Sequence, residues 1–219
     1  MNAFIEPPKR RRRTEGKEAT HARILEVART HLLAHGFEAT SIRDVARAAG
    51  VATGTVLLHF GDKRDLLHTA LFEDLAAAWA AARRAAAEAT TLRRQLCAIA
   101  ATFFGYYAER PALSRALLRE SLFAETPWRE RFAAQVAEVH GFVVTLTEAA
   151  QRQGALGQGV DAQVLGASFF SFYYFALLAW LQGGHPAPAR LFERMLEQHL
   201  AALETTPRPT TRKKGTKNP

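Results

Sequence analysis

A single cysteine, Cys97, in 219 residues excludes an internal disulfide framework and any multi-cysteine metal site, and fits a reducing cytosol. No stretch alternates apolar and polar residues long enough to suggest a sheet. The opening MNAFIEPPKRRRR has no apolar run of the kind a secretory leader carries, so none is expected. No G-x-S-x-G, no phosphate-binding glycine loop and no His-Glu-x-x-His occurs, and Gly154, Gly157 and Gly159 have the wrong spacing and follow a helix. The pair His31 and His35 sits four residues apart, but no cysteine or carboxylate is placed to complete a metal shell. These absences point away from an enzyme, and no cofactor or metal is expected.

What is present is positive charge, +8 over the chain, and its location matters more than its size. Residues 1–13 carry a net +4 and residues 205–219 a net +5, which leaves −1 for residues 14–204. The basicity therefore sits in two tails rich in Pro, Thr and basic residues that cannot bury a core.

Between the tails Ala, Leu, Arg and Glu dominate and apolar residues recur at helical spacing, so the fold is expected to be all-α with about nine helices. Gly36 closes a first helix from about Lys17 to His35, and Gly50 separates two short ones. Gly61-Asp62 precedes a long helix to about Ala89, Thr91 opens one to Glu109, and another covers roughly Ala112 to Glu125. Pro127 opens one to about Gln153, Asp161 caps one to Gln182, and the last runs from about Pro188 to Leu203.

The sharpest signal is SIRDVARAAGVATGTVLLHF, residues 41–60. Ser41 with Asp44 three residues on starts a helix whose inner face is Ile42, Val45, Ala46 and Ala49. Ala46 is small where a second helix must cross, Gly50 can take the left-handed backbone of a tight turn, and Val51 and Val56 anchor the next helix. That spacing is what a helix-turn-helix requires. The second helix then offers Thr53, Thr55, Leu57, Leu58 and His59 outside the packed face.

The wider segment, Ala22 to Leu67, resembles the DNA-binding domain of TetR-type (tetracycline-repressor-like) regulators. The resemblance is carried by Ile24-Leu25, Gly36-Phe37, Thr40-Ser41, Asp44-Val45-Ala46, Ala49-Gly50-Val51, Gly54-Thr55, His59-Phe60, Lys63 and Leu66-Leu67. It implies a dimeric, all-helical transcriptional regulator with a reading head and a larger effector-binding domain, and a double-stranded DNA operator as partner. It places Thr40 and Ser41 on phosphate and makes Arg43 a base-edge or phosphate reader. Thr53, Gly54 and Thr55 face the groove with Leu57 and Leu58, while His59 and Lys63 lie near the backbone. The sequence departs from the family at Leu57, where a tyrosine is usual; leucine keeps the apolar bulk and loses the hydroxyl donor. Arg10, Arg11, Arg12 and Arg13 become auxiliary contacts to the DNA backbone or minor groove. The expected organisation is a disordered basic arm over 1–16, a DNA-binding domain over 17–67, a ligand-binding and dimerisation domain over 68–204, and a disordered basic tail over 205–219.

In the larger domain two aromatic groups stand out, around Phe103 to Tyr107 and Phe169 to Phe175. They are apolar all round their helices, more than one buried face needs, so the surplus is expected to line a cavity or an interface. The residues expected at an effector are Phe103, Phe104, Tyr107, Phe123, Trp128, Phe142, Phe169 and Tyr173, and few charges nearby suggest an apolar or aromatic small molecule. Tyr106, Tyr107, Tyr173, Tyr174 and Gln135 offer it hydrogen bonds. Val164 to Leu181 holds 18 residues without a charge. Its polar side chains fall mid-segment rather than at the ends, so burial against a partner subunit is expected and no membrane. The stripe Phe192, Met195, Leu196, Leu200 on the last helix joins Phe175 in the expected homodimer interface. The competing expectation is a DNA-binding or architectural regulator with no effector.

Overall fold

A computed structural model describes residues 9–109 and 111–203, with the side chains of 9–13, 111–113, 116, 117 and 120 left aside. The described residues form α1 (Lys9–Ala39), α2 (Ile42–Ala48), α3 (Thr53–Phe60), α4 (Lys63–Ala87), α5 (Leu92–Ala108), α6 (Pro111–Leu122), α7 (Trp128–Arg152), α8 (Ala162–Leu181) and α9 (Pro188–Ala201). The all-α reading is correct.

The caps explain most of these boundaries. Ser41 Oγ accepts from the Asp44 N–H at 3.1 Å to open α2, and Asp62 Oδ1 accepts from the Asp65 N–H at 2.7 Å to open α4. Thr91 and Asp161 do the same for α5 and α8. Gly50, at φ 64°, supplies the left-handed residue between α2 and α3.

Two differences from the sequence reading concern α1. The helix begins at Lys9 rather than near Lys17, because residues 9–16 hold no proline and are mostly strong helix formers. At its other end Gly36 leaves helical geometry (φ 76°, ψ 175°), yet the chain resumes a further turn to Ala39. Tail 205–219 and the side chains of Arg10 to Arg13 lie outside the described residues.

Three apolar clusters hold the molecule. Ile24, Leu25, Val45, Ala46, Val56, Phe60, Leu66 and Ala70 close the N-terminal unit of α1 to α3 on the start of α4. The main core joins α4, α5, α7, α8 and α9 through residues such as Leu96, Ile99, Phe104, Val143, Phe169, Leu177 and Phe192. Between them Leu32, Leu67, Leu71, Trp128 and Phe132 form a joint. Cys97 lies half-buried beside the main core, where burial and Glu193 push its thiol up to about 11, so it stays protonated.

Candidate functional site

The N-terminal unit presents α3 to solvent. Val56 and Phe60 point inward, which turns Thr53, Gly54, Leu57 and Leu58 outward on one contiguous arc of about 140° at 3.6 residues per turn. Leu57 is 43% exposed and Leu58 79%. Arg43 stands exposed on α2, while Thr55 is half-buried. His59 is half-buried on the flank, 5.6 Å from His21 between ring centroids, and His21 stacks on Phe60 at 4.5 Å. Burial, His21 and Lys17 together hold the His59 imidazole below its ordinary 6.5.

Three side chains assigned to DNA are engaged within the protein. Thr40 is buried and its hydroxyl donates to the Gly36 carbonyl at 2.8 Å, a bond set by the break at that glycine. This places Thr40 among structural residues rather than phosphate contacts. Ser41 Oγ is held by the α2 cap and donates to the Asp44 carboxylate. Lys63 Nζ lies 4.2 Å over the Phe37 ring and donates to the Glu38 carbonyl at 3.2 Å.

In the larger unit a cavity of about 400 Å³ opens among α4, α5, α6, α7 and α8. Aromatic side chains dominate its wall: Phe72, Trp79, Phe103, Tyr107, Phe132, Phe169, Phe170, Tyr173 and Tyr174. Arg129, Gln135, Glu138 and Ser121 supply the polar positions besides the tyrosines. Burial pushes the Tyr107, Tyr173 and Tyr174 hydroxyls up, so all three stay protonated and able to donate.

Of the residues expected at an effector, Phe103, Tyr107, Phe169 and Tyr173 line this cavity and four others do not. Phe104 is turned into the core, stacked on Tyr173 at 5.0 Å and edge-on to Phe192. Phe142 packs edge-on against Trp79 at 5.3 Å. Trp128 belongs to the joint, and Phe123 is 81% exposed beyond the end of α6. The sequence reading missed Phe72, Trp79, Phe132 and Glu138. The signal was present: Phe72, Leu75, Ala76 and Trp79, then Phe132, Gln135, Val136 and Val139, both follow an i, i+3, i+4, i+7 pattern.

A ladder of side-chain hydrogen bonds ties α4 to α7. Trp128 Nε1 donates to Asp65 at 2.8 Å, Gln135 Nε2 to the Phe72 carbonyl at 2.9 Å, and Trp79 Nε1 to Glu138 at 2.8 Å. The α4 members fall every two turns, at 65, 72 and 79, and the last two rungs border the cavity. On the α1 side, Arg29 clasps Asp74 at 2.8 Å and Glu73 at 2.9 Å. Helix α4 is thus floor to the small unit through Leu66 and Ala70 and wall to the cavity through Phe72 and Trp79.

The residues expected at a dimer interface divide. Phe192, Leu196 and Leu200 are at most 2% exposed within this chain, so they fill its own core and are not an outer face. Met195 packs half-buried beside them. Phe175 is 57% exposed and continues a surface on α8 with Val164 at 59% and Leu178 at 40%, joined by exposed Ala167 and Ser171. Helix α8 is long and apolar enough to cross a membrane by length and composition, but Leu165, Phe169, Tyr173, Ala176 and Leu177 bury its other face in the core.

Residues 24–70 match the family described as bacterial regulatory proteins, tetR family. Over 54 residues the chain is 35% identical to the HTH-type transcriptional repressor KstR2 of Rhodococcus jostii (strain RHA1), a match spanning 25% of this chain and 26% of that relative. Among solved structures, the transcriptional regulator FadR from Bacillus subtilis in complex with stearoyl-CoA aligns over 84% of this chain and 99% of its own, at TM-score 0.69 and 17% identity. The ketosteroid transcriptional regulator KstR2 of Mycobacterium tuberculosis aligns over 85% and 95%, at TM-score 0.60 and 17% identity. At such identities the structures share a fold with this chain.

Proposed function

Because residues 24–70 match the tetR family of bacterial regulatory proteins, we propose that this chain is a member of that family and a dimeric, sequence-specific repressor released from a palindromic operator by an apolar or aromatic small molecule. The observation that carries the reading is α4, one helix that is both floor of the reading head and wall of the aromatic cavity. A ligand that prefers one setting of the wall biases the setting of the head, and operator affinity changes by the ratio of its affinities for the two. The stearoyl-CoA bound in the B. subtilis structure carries a long apolar acyl chain on a charged coenzyme A, and that acyl chain is in keeping with this wall.

The head's share of the work is shape and placement. Residues 14–67 carry equal numbers of Lys+Arg and Asp+Glu, seven of each, so attraction to phosphate falls to the basic tails. Arg43, Thr53, Gly54, Leu57 and Leu58 meet the groove, and His59 meets a phosphate. Because His59 is held below 6.5 in the free protein, the unfolded chain takes up its proton more readily. The stability it contributes is therefore full above 6.5 and is lost as pH falls through its folded value. A phosphate favours the imidazolium, so DNA binding takes up a proton. Operator affinity should rise as pH falls from about 8 to about 6, the free head should lose stability only below about 6.5, and His59→Gln should flatten both, read by fluorescence anisotropy and by thermal melting.

A second copy of the chain covers the exposed face of α8, pairing Val164, Phe175 and Leu178 about a two-fold axis. The double substitution Phe175→Glu with Leu178→Glu should shift the sizing profile from dimer to monomer and lower operator affinity at least tenfold, because one head alone reads a half-site. The function as a whole is tested by a protected footprint upstream of the gene or its neighbour. Two-fold symmetric protection, lost on adding a planar apolar compound that raises the melting temperature, supports it; protection that no cavity-binding compound relieves leaves a regulator without an effector.

A further inference from the structure

We propose that Leu57 and Leu58 read the 5-methyl groups of thymines, so that this head recognises its operator by methyl position more than by hydrogen-bond pattern. The inference rests on the DNA-binding reading above and specifies what that surface recognises.

The chemistry of α3 is unusual for a helix that reads bases. Its sequence, TGTVLLHF, holds no Arg, Lys, Asn, Gln, Asp or Glu. Those residues make the paired contacts that identify guanine, adenine and cytosine in the major groove. What the outward arc offers instead is one hydroxyl, at Thr53, a glycine, and two leucines. Leu58 is 79% exposed, and the head's own core is already closed by Val56 and Phe60 on the opposite side of the helix. Nothing lies within 4 Å of where a Cβ on Gly54 would stand, one turn before Leu58, so Leu58 projects clear of its own helix. Thymine is the one base of ordinary DNA that presents an apolar group in the major groove, at C5. An apolar arc without paired donors and acceptors gains from that group and from little else on a base edge.

The test uses the full-length protein and separates methyl from hydrogen bond by atomic replacement. Duplexes selected from a random pool give the bound sequence, and each thymine in it is then replaced by deoxyuridine, which keeps every hydrogen-bonding atom and lacks only the methyl. One or two positions in each half-site should weaken binding about fourfold each, and about 16-fold when symmetric pairs are replaced, as expected for a buried methyl. Leu58→Ala and Leu57→Ala should each bind more weakly and lose the distinction between thymine and uracil at its own position. Both side chains are exposed and alanine is a strong helix former, so the variants should melt as the parent does. Uracil tolerated at every position, or a penalty that persists in both alanine variants, would overturn the assignment while leaving sequence-specific binding intact. A pool in which no sequence is enriched would overturn sequence-specific binding itself, and this inference with it.

Discussion

Phe60→Ala is expected to abolish operator binding while the larger unit stays folded. Phe60 is 1% exposed, closes the small cluster that α1, α2 and α3 share with the start of α4, and lies under the His21 ring at 4.5 Å. Removing a buried phenyl ring costs about 3–5 kcal/mol, from lost transfer and the cavity left behind. Folded proteins rest on about 5–15 kcal/mol in all, and this cluster is a small, separate part of the core. The loss should therefore concentrate in the head. Calorimetry or circular dichroism should show an early transition that removes part of the helical signal, followed by a later one close to the parent's. Trp79 and Trp180 lie in or against the main core, so most of the tryptophan fluorescence change should accompany the later step, with Trp128 at the joint adding a smaller early change. Parental melting with intact DNA binding would mean that Phe60 does not hold α3 in place.

The second large effect is expected at the joint. Trp128→Ala should leave ligand binding in the cavity nearly unchanged and collapse the ratio of operator affinities measured without and with ligand towards one. Trp128 is not in the cavity wall. It donates to Asp65 at 2.8 Å, and its ring lies within 6 Å of His68, Phe72 and Phe132. It is thus the rung of the ladder nearest the head. Couplings between sites commonly amount to 5- to 150-fold, about 1–3 kcal/mol, and cutting this rung should remove most of such a factor. Trp128→Phe separates the two contributions: it keeps the ring packing, loses the N–H and should cost about 1–2 kcal/mol of stability. Ligand affinity by titration and operator affinity by anisotropy, on both variants, check the expectation. An unchanged ratio would put transmission elsewhere, with Arg29 and its two α4 carboxylates as the next bridge to examine.

The helices were legible because their starts are written locally. Ser41 with Asp44 and Asp161 are capping signals, Gly61-Asp62 and Thr91 mark helix starts, and all four side chains accept from N–H groups two or three residues on. The site was less legible because periodicity tells which face of a helix is apolar and not what covers it. The stripe of Phe192, Leu196 and Leu200 looks identical whether its own subunit or a second one lies over it, and here it is its own. Phe104 and Phe103 are adjacent, and only the position of α8 and α9 decides that one meets Phe192 and the other the cavity. Thr40 was misassigned for a related reason. Its hydroxyl is drawn inward by a carbonyl freed where Gly36 leaves the helix, a backbone event that residue types do not announce. The rungs between α4 and α7 join residues about 60 apart in the chain and leave no trace in local pattern.

The length of α4 carries one more consequence. The helix is 25 residues without an internal break, and from Trp79 at the cavity to Lys63 at the head it runs about 24 Å at 1.5 Å per residue. Such a rod converts angle into distance. A tilt of about 5° sweeps the far end of a lever of that length through about 2 Å. In a two-fold pair the displacements oppose each other, so the gap between the two reading helices changes by about 4 Å against a DNA repeat of about 34 Å. On the proposed function, release from an operator would then require no unfolding and no new contact at the DNA, only a calliper opened slightly too wide.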